Sequence, residues 1–264
     1  MPSVSDGPLD RILEHEAGDL TCTVESEIRL SALQAALAEH GQMLALDPPG
    51  DPTLGACLAA NLSGPRRHRY GTMRDLVIGA TVVLPDGTMA SSGGKVVKNV
   101  AGYDLGKLFC GSEGRLGRIV RLSLRLHPVP EASATVVAEP DAAQAFAVLR
   151  SALVPSAVDV HWPERLALLF EGSERSVAAQ VEAARELIGA EPAGDDVWAE
   201  AAERQAQAQG RLGFAPGSLA DVLAAEKEAV VRVFAGVAYL PHEVPDPRDP
   251  AEIALVDRIA AAFA

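Results

Sequence analysis

The sequence predicts an α+β protein in two domains, residues 1–130 and 131–264, and two observations carry that prediction. The stretch Thr53 to Pro130 is punctuated by glycine at non-repeating intervals, always at the starts and ends of short apolar segments. Glycine loses more freedom on folding than any other residue, so it is kept where backbone must turn or approach something closely. After His127-Pro128-Val129-Pro130 the pattern changes to β-α-β-β-α-(insert)-β, the split βαβ, ferredoxin-like order.

The first domain opens with two short strands, Ile12–His15 and Leu20–Glu25. Leu30–His40 follows as a helix, with Leu30, Leu33 and Leu37 at helical spacing and Gly41 as its stop. Met43–Leu46 is a brief strand before Asp47-Pro48-Pro49, and Thr53 is a good N-cap for a helix over Leu54–Ala60. Asn61–Thr72 has the composition of a loop. Leu76–Leu84 is apolar and β-rich, and Pro85-Asp86-Gly87 turns it back through Thr88–Ala90. Asp104–Cys110 is a short helix closed by Gly111. Leu116–Leu126 alternates apolar residues with Arg118, Arg121, Ser123 and Arg125, as a half-buried strand does.

In the second domain Ala134–Ala138 is a strand, Asp141–Leu153 a helix, and Ala157–Trp162 and Arg165–Phe170 are strands. Ser173–Ile188 is a long helix. An alanine-rich helical stretch over Asp196–Gln209 precedes a last strong strand, Val230–Leu240, and a terminal helix, Asp249–Phe263.

Composition narrows the function classes. The 264 residues are 48 % hydrophobic, enough for a sizeable core. The formal net charge of −13 disfavours nucleic acid and anionic membrane surfaces as main partners, since both require a basic footprint. Cys22, Cys57 and Cys110 form neither a disulfide framework nor a C-x-x-C site, and they read as buried free thiols of a reducing compartment. The N-terminus lacks the basic and apolar regions of an export signal, and no apolar run reaches membrane-spanning length. A cytoplasmic protein is expected, held peripherally at the inner membrane only through partners. The six histidines are scattered, so no metal site is expected.

Three stretches carry chemistry. The N-terminus of the Leu54–Ala60 helix offers N–H donors suited to a pyrophosphate or a flavin carbonyl; an ordinary buried helix fits it equally well. Asn61-Leu-Ser-Gly-Pro65 leads into Arg66, Arg67 and Arg69, which can meet phosphate or form a plain basic loop. Gly111-Ser-Glu-Gly-Arg-Leu-Gly117 implies either a path against a planar ligand or a tight helix-to-strand turn. Its helix-before, strand-after order is the reverse of the nicotinamide dinucleotide fingerprint. Trp162 reads as core, with a substrate-pocket role as the lesser alternative.

Five motifs now stand in order: Thr53-Leu-Gly; Asn61-x-Ser-Gly-Pro; Tyr70-Gly-Thr-x-Arg-Asp; Lys98-Asn-Val-Ala-Gly-Tyr-Asp-Leu; and Gly111-Ser-Glu-Gly-x-Leu-Gly. Together they resemble the FAD-binding domain of the vanillyl-alcohol oxidase-type flavoproteins, and within that family the FAD-binding subunits of the glycolate oxidase type. The resemblance is strong over residues 10 to 130 and looser beyond. It implies a two-lobed FAD-binding domain followed by an α+β cap. The residues before Thr21 do not read as the Arg/Gly-rich pyrophosphate loop of the N-terminal lobe, so the chain is expected to lack that lobe. The resemblance further implies that Pro49, Thr53, Leu54, Gly55, Asn61, Ser63, Gly64, Tyr70, Gly71 and Asp75 line the FAD. Glu113, Gly114, Leu116 and Ile119 would cover it from the last strand. Lys98, Asn99 and Tyr103 would lie toward the isoalloxazine ring, as the candidates on its reactive side. Arg115 stands where these relatives carry threonine.

The expected activity is FAD-dependent oxidation of a small 2-hydroxy acid, or relay of its electrons within a complex. A second flavoprotein subunit and an iron–sulfur subunit are the expected partners, since three dispersed cysteines cannot hold a cluster. The alternative is a non-catalytic remnant or assembly module that keeps the fold and no longer binds flavin.

Overall fold

The computed structural model describes residues 8–94 and 104–245, together with Ala254, Arg258 and Ala261. In chain order the elements are β1 (Ile12–Glu16), β2 (Thr21–Glu25), α1 (Leu30–Ala38), β3 (Gln42–Met43), α2 (Leu54–Ala59), α3 (Arg67–Tyr70) and α4 (Met73–Leu76). Then come β4 (Val77–Val83), β5 (Met89–Gly93), α5 (Leu105–Phe109), β6 (Arg118–Arg125) and β7 (His127–Pro128). The rest of the chain forms β8 (Ala132–Ala138), α6 (Ala142–Arg150), β9 (Ala157–Trp162), β10 (Arg165–Gly172), α7 (Glu174–Ile188) and β11 (Glu191–Ala193). It continues with α8 (Asp196–Gln207), β12 (Gly210–Gly213), α9 (Leu219–Ala225), β13 (Ala229–Arg232) and β14 (Val237–Leu240).

The chain divides into two compact units. The first comprises residues 1–63, 71–129 and 246–264, and the second comprises 64–70 and 130–245. The first unit is built on an antiparallel sheet in the order β1-β2-β6-β4-β5. Alternation along β2, β4 and β6 sends Val24, Ala80, Val82, Leu122 and Leu124 to one face. There they pack with Leu33 and Leu37 of α1, Leu54 and Leu58 of α2, Met73 and Leu76 of α4, and Phe109 of α5. Burial of this apolar face is the main driving term for the unit. The opposite face carries hydroxyls, with Thr23 and Ser123 paired at 3.0 Å across β2 and β6.

The strand expected over Met43–Leu46 is shortened and shifted to β3, Gln42–Met43, which pairs with β7. Gln34 of α1 takes both backbone groups of Leu44, donating from Nε2 to its carbonyl at 2.7 Å and accepting its N–H at 3.0 Å. A side chain does there what a strand neighbour would have done.

The second unit holds a sheet in the order β11-β8-β10-β9-β13-β14-β12, every neighbouring pair antiparallel. The βαββαβ run closes with β11, directly after α7, and not with the strand beyond the insert. The later strands extend the opposite edge through β9. Val230–Leu240 is two strands rather than one, because the chain turns at Gly236, with φ +59. A Cβ there would lie 2.2 Å from the Phe214 carbonyl oxygen. The apolar positions of α7, Val177, Ala184 and Ile188, are buried among core residues including Val136, Phe170 and Leu168. Trp162 packs against this core and donates its indole N–H to the Glu226 carbonyl at 2.9 Å. The terminal helix expected over Asp249–Phe263 lies outside the described residues except for Ala254, Arg258 and Ala261, which are helical and exposed.

Candidate functional site

Thr53 caps α2 as its sequence predicts, its Oγ1 accepting the Ala56 N–H at 3.3 Å. The other donors at this helix start are also engaged. Leu54 N–H donates to the Ile28 carbonyl at 3.0 Å, Gly55 N–H to the Ser26 carbonyl at 2.6 Å, and Cys57 N–H to the Thr53 carbonyl at 2.9 Å. The expectation that this end offers unpaired donors to a pyrophosphate is therefore corrected. Gly55 is glycine for packing: a Cβ would meet the Ser26 carbonyl oxygen and Cβ, each at 3.0 Å. Leu54 is fully buried.

The other end of α2 is different. Gly111 N–H donates to the Leu58 carbonyl at 3.0 Å, and Glu113 N–H to the Ala59 carbonyl at 2.8 Å. The glycine-rich turn after α5 thus closes the last turn of α2, joining the Asn61 N–H on the Leu58 carbonyl and capping the Ala59 carbonyl. Beside these bonds two non-glycine residues adopt left-handed backbone, Asn61 at φ +47 and Glu113 at φ +53. Asn61 takes it as the C-terminal cap of α2, with its N–H on the Leu58 carbonyl at 3.1 Å and the Leu62 N–H on the Cys57 carbonyl at 2.9 Å. Asn61 Oδ1 and Ser112 Oγ are both buried without a hydrogen-bond partner. A Cβ on Gly111 would stand 4.0 Å from that of Asn61, so the two turns are in contact. Buried polar groups are ordinarily satisfied, so two orphans on adjoining turns are exceptions.

The remaining sequence-predicted residues divide. Leu116 packs on the first core and Ile119 lies within it, while Glu113 and Gly114 are exposed on the turn. Arg115 pairs with Glu113 at 3.2 Å, both side chains in solvent. Pro49 and Gly71 are half-buried, and Ser63 is buried. Asp75 works as a cap: its carboxylate accepts the Thr72 N–H at 2.8 Å and the Thr72 hydroxyl at 3.0 Å. Lys98, Asn99 and Tyr103 lie outside the described residues.

Gly64 and Tyr70 fall in the second unit, because the segment between them is bonded there. Residues Arg67–Tyr70 form a helical turn where a loop was expected. Glu171, with a wholly buried side chain at the end of β10, accepts from Arg66 Nε at 2.9 Å and Nη2 at 2.7 Å. Tyr70 donates its hydroxyl to the same carboxylate at 3.4 Å, and Arg69 donates to the Glu171 carbonyl at 2.9 Å. The expectation of arginines reaching for phosphate is corrected for Arg66 and Arg69, which bind an internal acid and carbonyl. The Tyr70 hydroxyl is held above the ordinary phenol range by burial first and by the Glu171 charge second. Ser112 and Glu171 were not singled out from sequence. Ser112 was legible, standing inside the glycine string; Glu171 carried only the weak signal of an acid ending an apolar strand.

Residues 3–93 match the family described as FAD binding domain. Over that stretch the chain thus matches an FAD-binding domain. It is 34 % identical over 200 residues to glycolate oxidase subunit GlcE of Escherichia coli, covering 74 % of this chain and 56 % of that one. It is 39 % identical over 132 residues to glycolate oxidase subunit GlcD of Bacillus subtilis, covering 49 % of this chain and 28 % of that one. A D-lactate dehydrogenase [cytochrome] of Saccharomyces cerevisiae is 34 % identical over 158 residues, 60 % of this chain and 27 % of the relative. The chain therefore spans from about a quarter to about half the length of these relatives. Among solved structures an alkyldihydroxyacetonephosphate synthase superposes with a TM-score of 0.66, covering 97 % of this chain at 17 % identity, which is a likeness of fold. A carbohydrate oxidase from Microdochium nivale superposes at 0.54 over 70 % of the chain at 18 % identity.

The orphaned pair fits FAD. An isoalloxazine edge offers one N–H and two carbonyl oxygens, and a buried amide oxygen with a buried hydroxyl are the partners such an edge needs.

Proposed function

We propose that this chain is the FAD-binding part of a 2-hydroxy-acid oxidoreductase of the glycolate oxidase type. The observation that carries the reading is the orphaned Asn61–Ser112 pair at the joined turns, in a chain 34 % identical to a glycolate oxidase subunit. In this reading Asn61 and Ser112 hold the ring edge, and the Glu113–Ala59 bond fixes the two turns at the spacing that the edge requires. Leu116 and Ile119 supply apolar surface that excludes water from one side. When bound, FAD supplies a two-electron acceptor for the hydride on the α-carbon of a small 2-hydroxy acid. Lining roles for Pro49, Ser63, Gly71, Asp75 and Gly114, and ring-side roles for Lys98, Asn99 and Tyr103, belong to the same reading.

The proposed partners are a second flavoprotein subunit, as GlcD-type relatives suggest, and an iron–sulfur subunit that takes the electrons onward. Cys22 and Cys57 are buried and Cys110 half-buried, and among the described residues no His/Cys/Asp/Glu group could hold a metal ion. No described helix is long and apolar enough to cross a membrane, so the proposed attachment to the inner membrane runs through partners. The test is a titration of the purified chain with FAD, followed by absorbance and flavin fluorescence. Saturable binding, then bleaching by glycolate or D-lactate in the presence of the partner subunits, supports the reading. A folded, colourless chain that takes up no FAD, alone or with those subunits, returns the assignment to a non-catalytic assembly module.

A further inference from the structure

Alternation along β9 sends Val158 and Val160 into the core shared with α7, and Asp159 and His161 to the opposite face of the second unit's sheet. Asp159 stands directly across from Arg232 of β13, and the two form a buried ion pair. His161 stands across from Arg165 of β10, with its Nε2 3.9 Å from Asp159 Oδ2. Asp159, His161 and Arg232 are each at most 2 % exposed, and Asp159 Oδ1 and His161 Nε2 are buried without a hydrogen-bond partner. The activity proposed above gives this cluster no part. Its cover is α8. Trp198 meets the His161 ring edge-on with centroids 6.0 Å apart, and donates its indole N–H to Thr135 Oγ1 at 2.9 Å. Gln205 accepts from Arg232. Arg204 donates to the Trp162 carbonyl at 2.8 Å and to Glu164 at 2.9 Å, and Arg165 donates to Glu200 at 2.8 Å. The two buried apolar side chains of α8, Val197 and Ala201, lie outside the apolar core that α6, α7 and α9 share. A helix held mainly by polar contacts belongs to the low end of local stability.

We propose that α8 is an acid-released cover: it lifts from the sheet while the strands beneath stay paired, and protonation of the uncovered His161 holds it open. The closed state accepts only the neutral imidazole. Burial first, then the charges of Arg165 and Arg204, hold His161 down at about 3. Lifting α8 wets the ring and removes Arg204, so an uncovered His161 titrates near the ordinary value of about 6.5. The open state therefore binds a proton that the closed state refuses, and closure weakens as pH falls below that value. The charged and titratable groups around His161 come from every element packed there. They are Asp159 on its own strand, Arg165 on β10 with its partner Glu200, and Arg232 on β13 with Tyr239 of β14 against its guanidinium. Arg204 of α8 completes the set, with its partners Glu164 and Glu228.

The test is native-state amide hydrogen exchange on the full chain between pH 5 and pH 7.5, corrected for intrinsic exchange rates. At pH 7.5 the α8 amides should be at least about tenfold less protected than those of β9, β10 and β13. The α8 opening constant should rise about thirtyfold from pH 7.5 to pH 5. In His161→Phe that rise should shrink below about threefold, which separates His161 from Asp159 and the glutamates as its source. Protection of α8 equal to that of β9 means that the helix opens only with the whole unit, and overturns the proposal. So does an α8 opening constant that does not change with pH, or one that rises as steeply in His161→Phe. Should His161→Phe fail to fold, His161→Gln takes its place, and the first two readings are made on the parent protein alone.

Discussion

Glu113 donates its backbone N–H to the Ala59 carbonyl at 2.8 Å while itself held at φ +53. That bond joins two turns far apart in sequence and leaves Asn61 Oδ1 and Ser112 Oγ buried and unmet beside them. The free energy withheld from folding at this point is available to a ligand that supplies the missing partners.

Asn61→Gly separates folding from binding. Glycine adopts the φ of +47 without strain and removes the unmet amide. The melting temperature without FAD should stay within the equivalent of about 1 kcal/mol of the parent, while FAD affinity falls about tenfold. Calorimetric melting and fluorescence titration on the same preparation check both halves.

Gly117 ends the glycine string at φ +140, and a Cβ there would lie 2.5 Å from the Val83 carbonyl oxygen. Gly117→Ala must push β6 away from the end of β4 or distort the turn. A loss of about 1–3 kcal/mol is expected in urea unfolding. A change below a few tenths would show that the turn is loosely held.

Buried His161 should give the fold an acid-sensitive limb. Burial lowers its pKa to about 3, with Arg165 and Arg204 adding to the effect. Below an unfolded value of about 6.5, the unfolded chain takes up a proton that the folded chain refuses, so stability falls as pH falls. The slope from this group reaches about 1.4 kcal/mol per pH unit and levels off near pH 3. His161→Phe should flatten that limb by one proton in chemical unfolding at several pH values between 4 and 7.

Cysteine labelling should follow burial. Desolvation pushes the Cys22 and Cys57 thiols up to about 12, while Cys110 is half-buried and raised for the same reason. Iodoacetamide at pH 8 should modify Cys110 first, and Cys22 and Cys57 only as the protein unfolds. Peptide mass mapping distinguishes the three, and early modification of Cys57 would mean that α2 is not packed as described.

Local chemistry was legible in the sequence, and long-range pairing was not. Thr53 announced the start of α2, and the spacing of Leu30, Leu33 and Leu37 announced the buried face of α1. That α2 meets the glycine turn by its C-terminal end could not be read, because Ser26 and Ile28 are what occupy the donors at its start. The fourth strand of the ferredoxin-like run was missed because Glu191–Ala193 is too short and polar to show alternation. α9 had a readable apolar spacing in Leu219, Val222 and Leu223, and was overlooked beside the stronger strand that follows. Arg66 looked like a phosphate ligand because its real partner, Glu171, stands in another unit of the sequence pattern.

Amide chemical-shift mapping of the chain during FAD titration tests the central claim most directly. The account predicts saturable shifts at Asn61 and Gly111–Gly114, with little change at Gly55, whose N–H is already bonded to Ser26. Shifts centred on Gly55 and Ser26 with Asn61 and Ser112 unmoved, or none anywhere at saturating FAD, would contradict it.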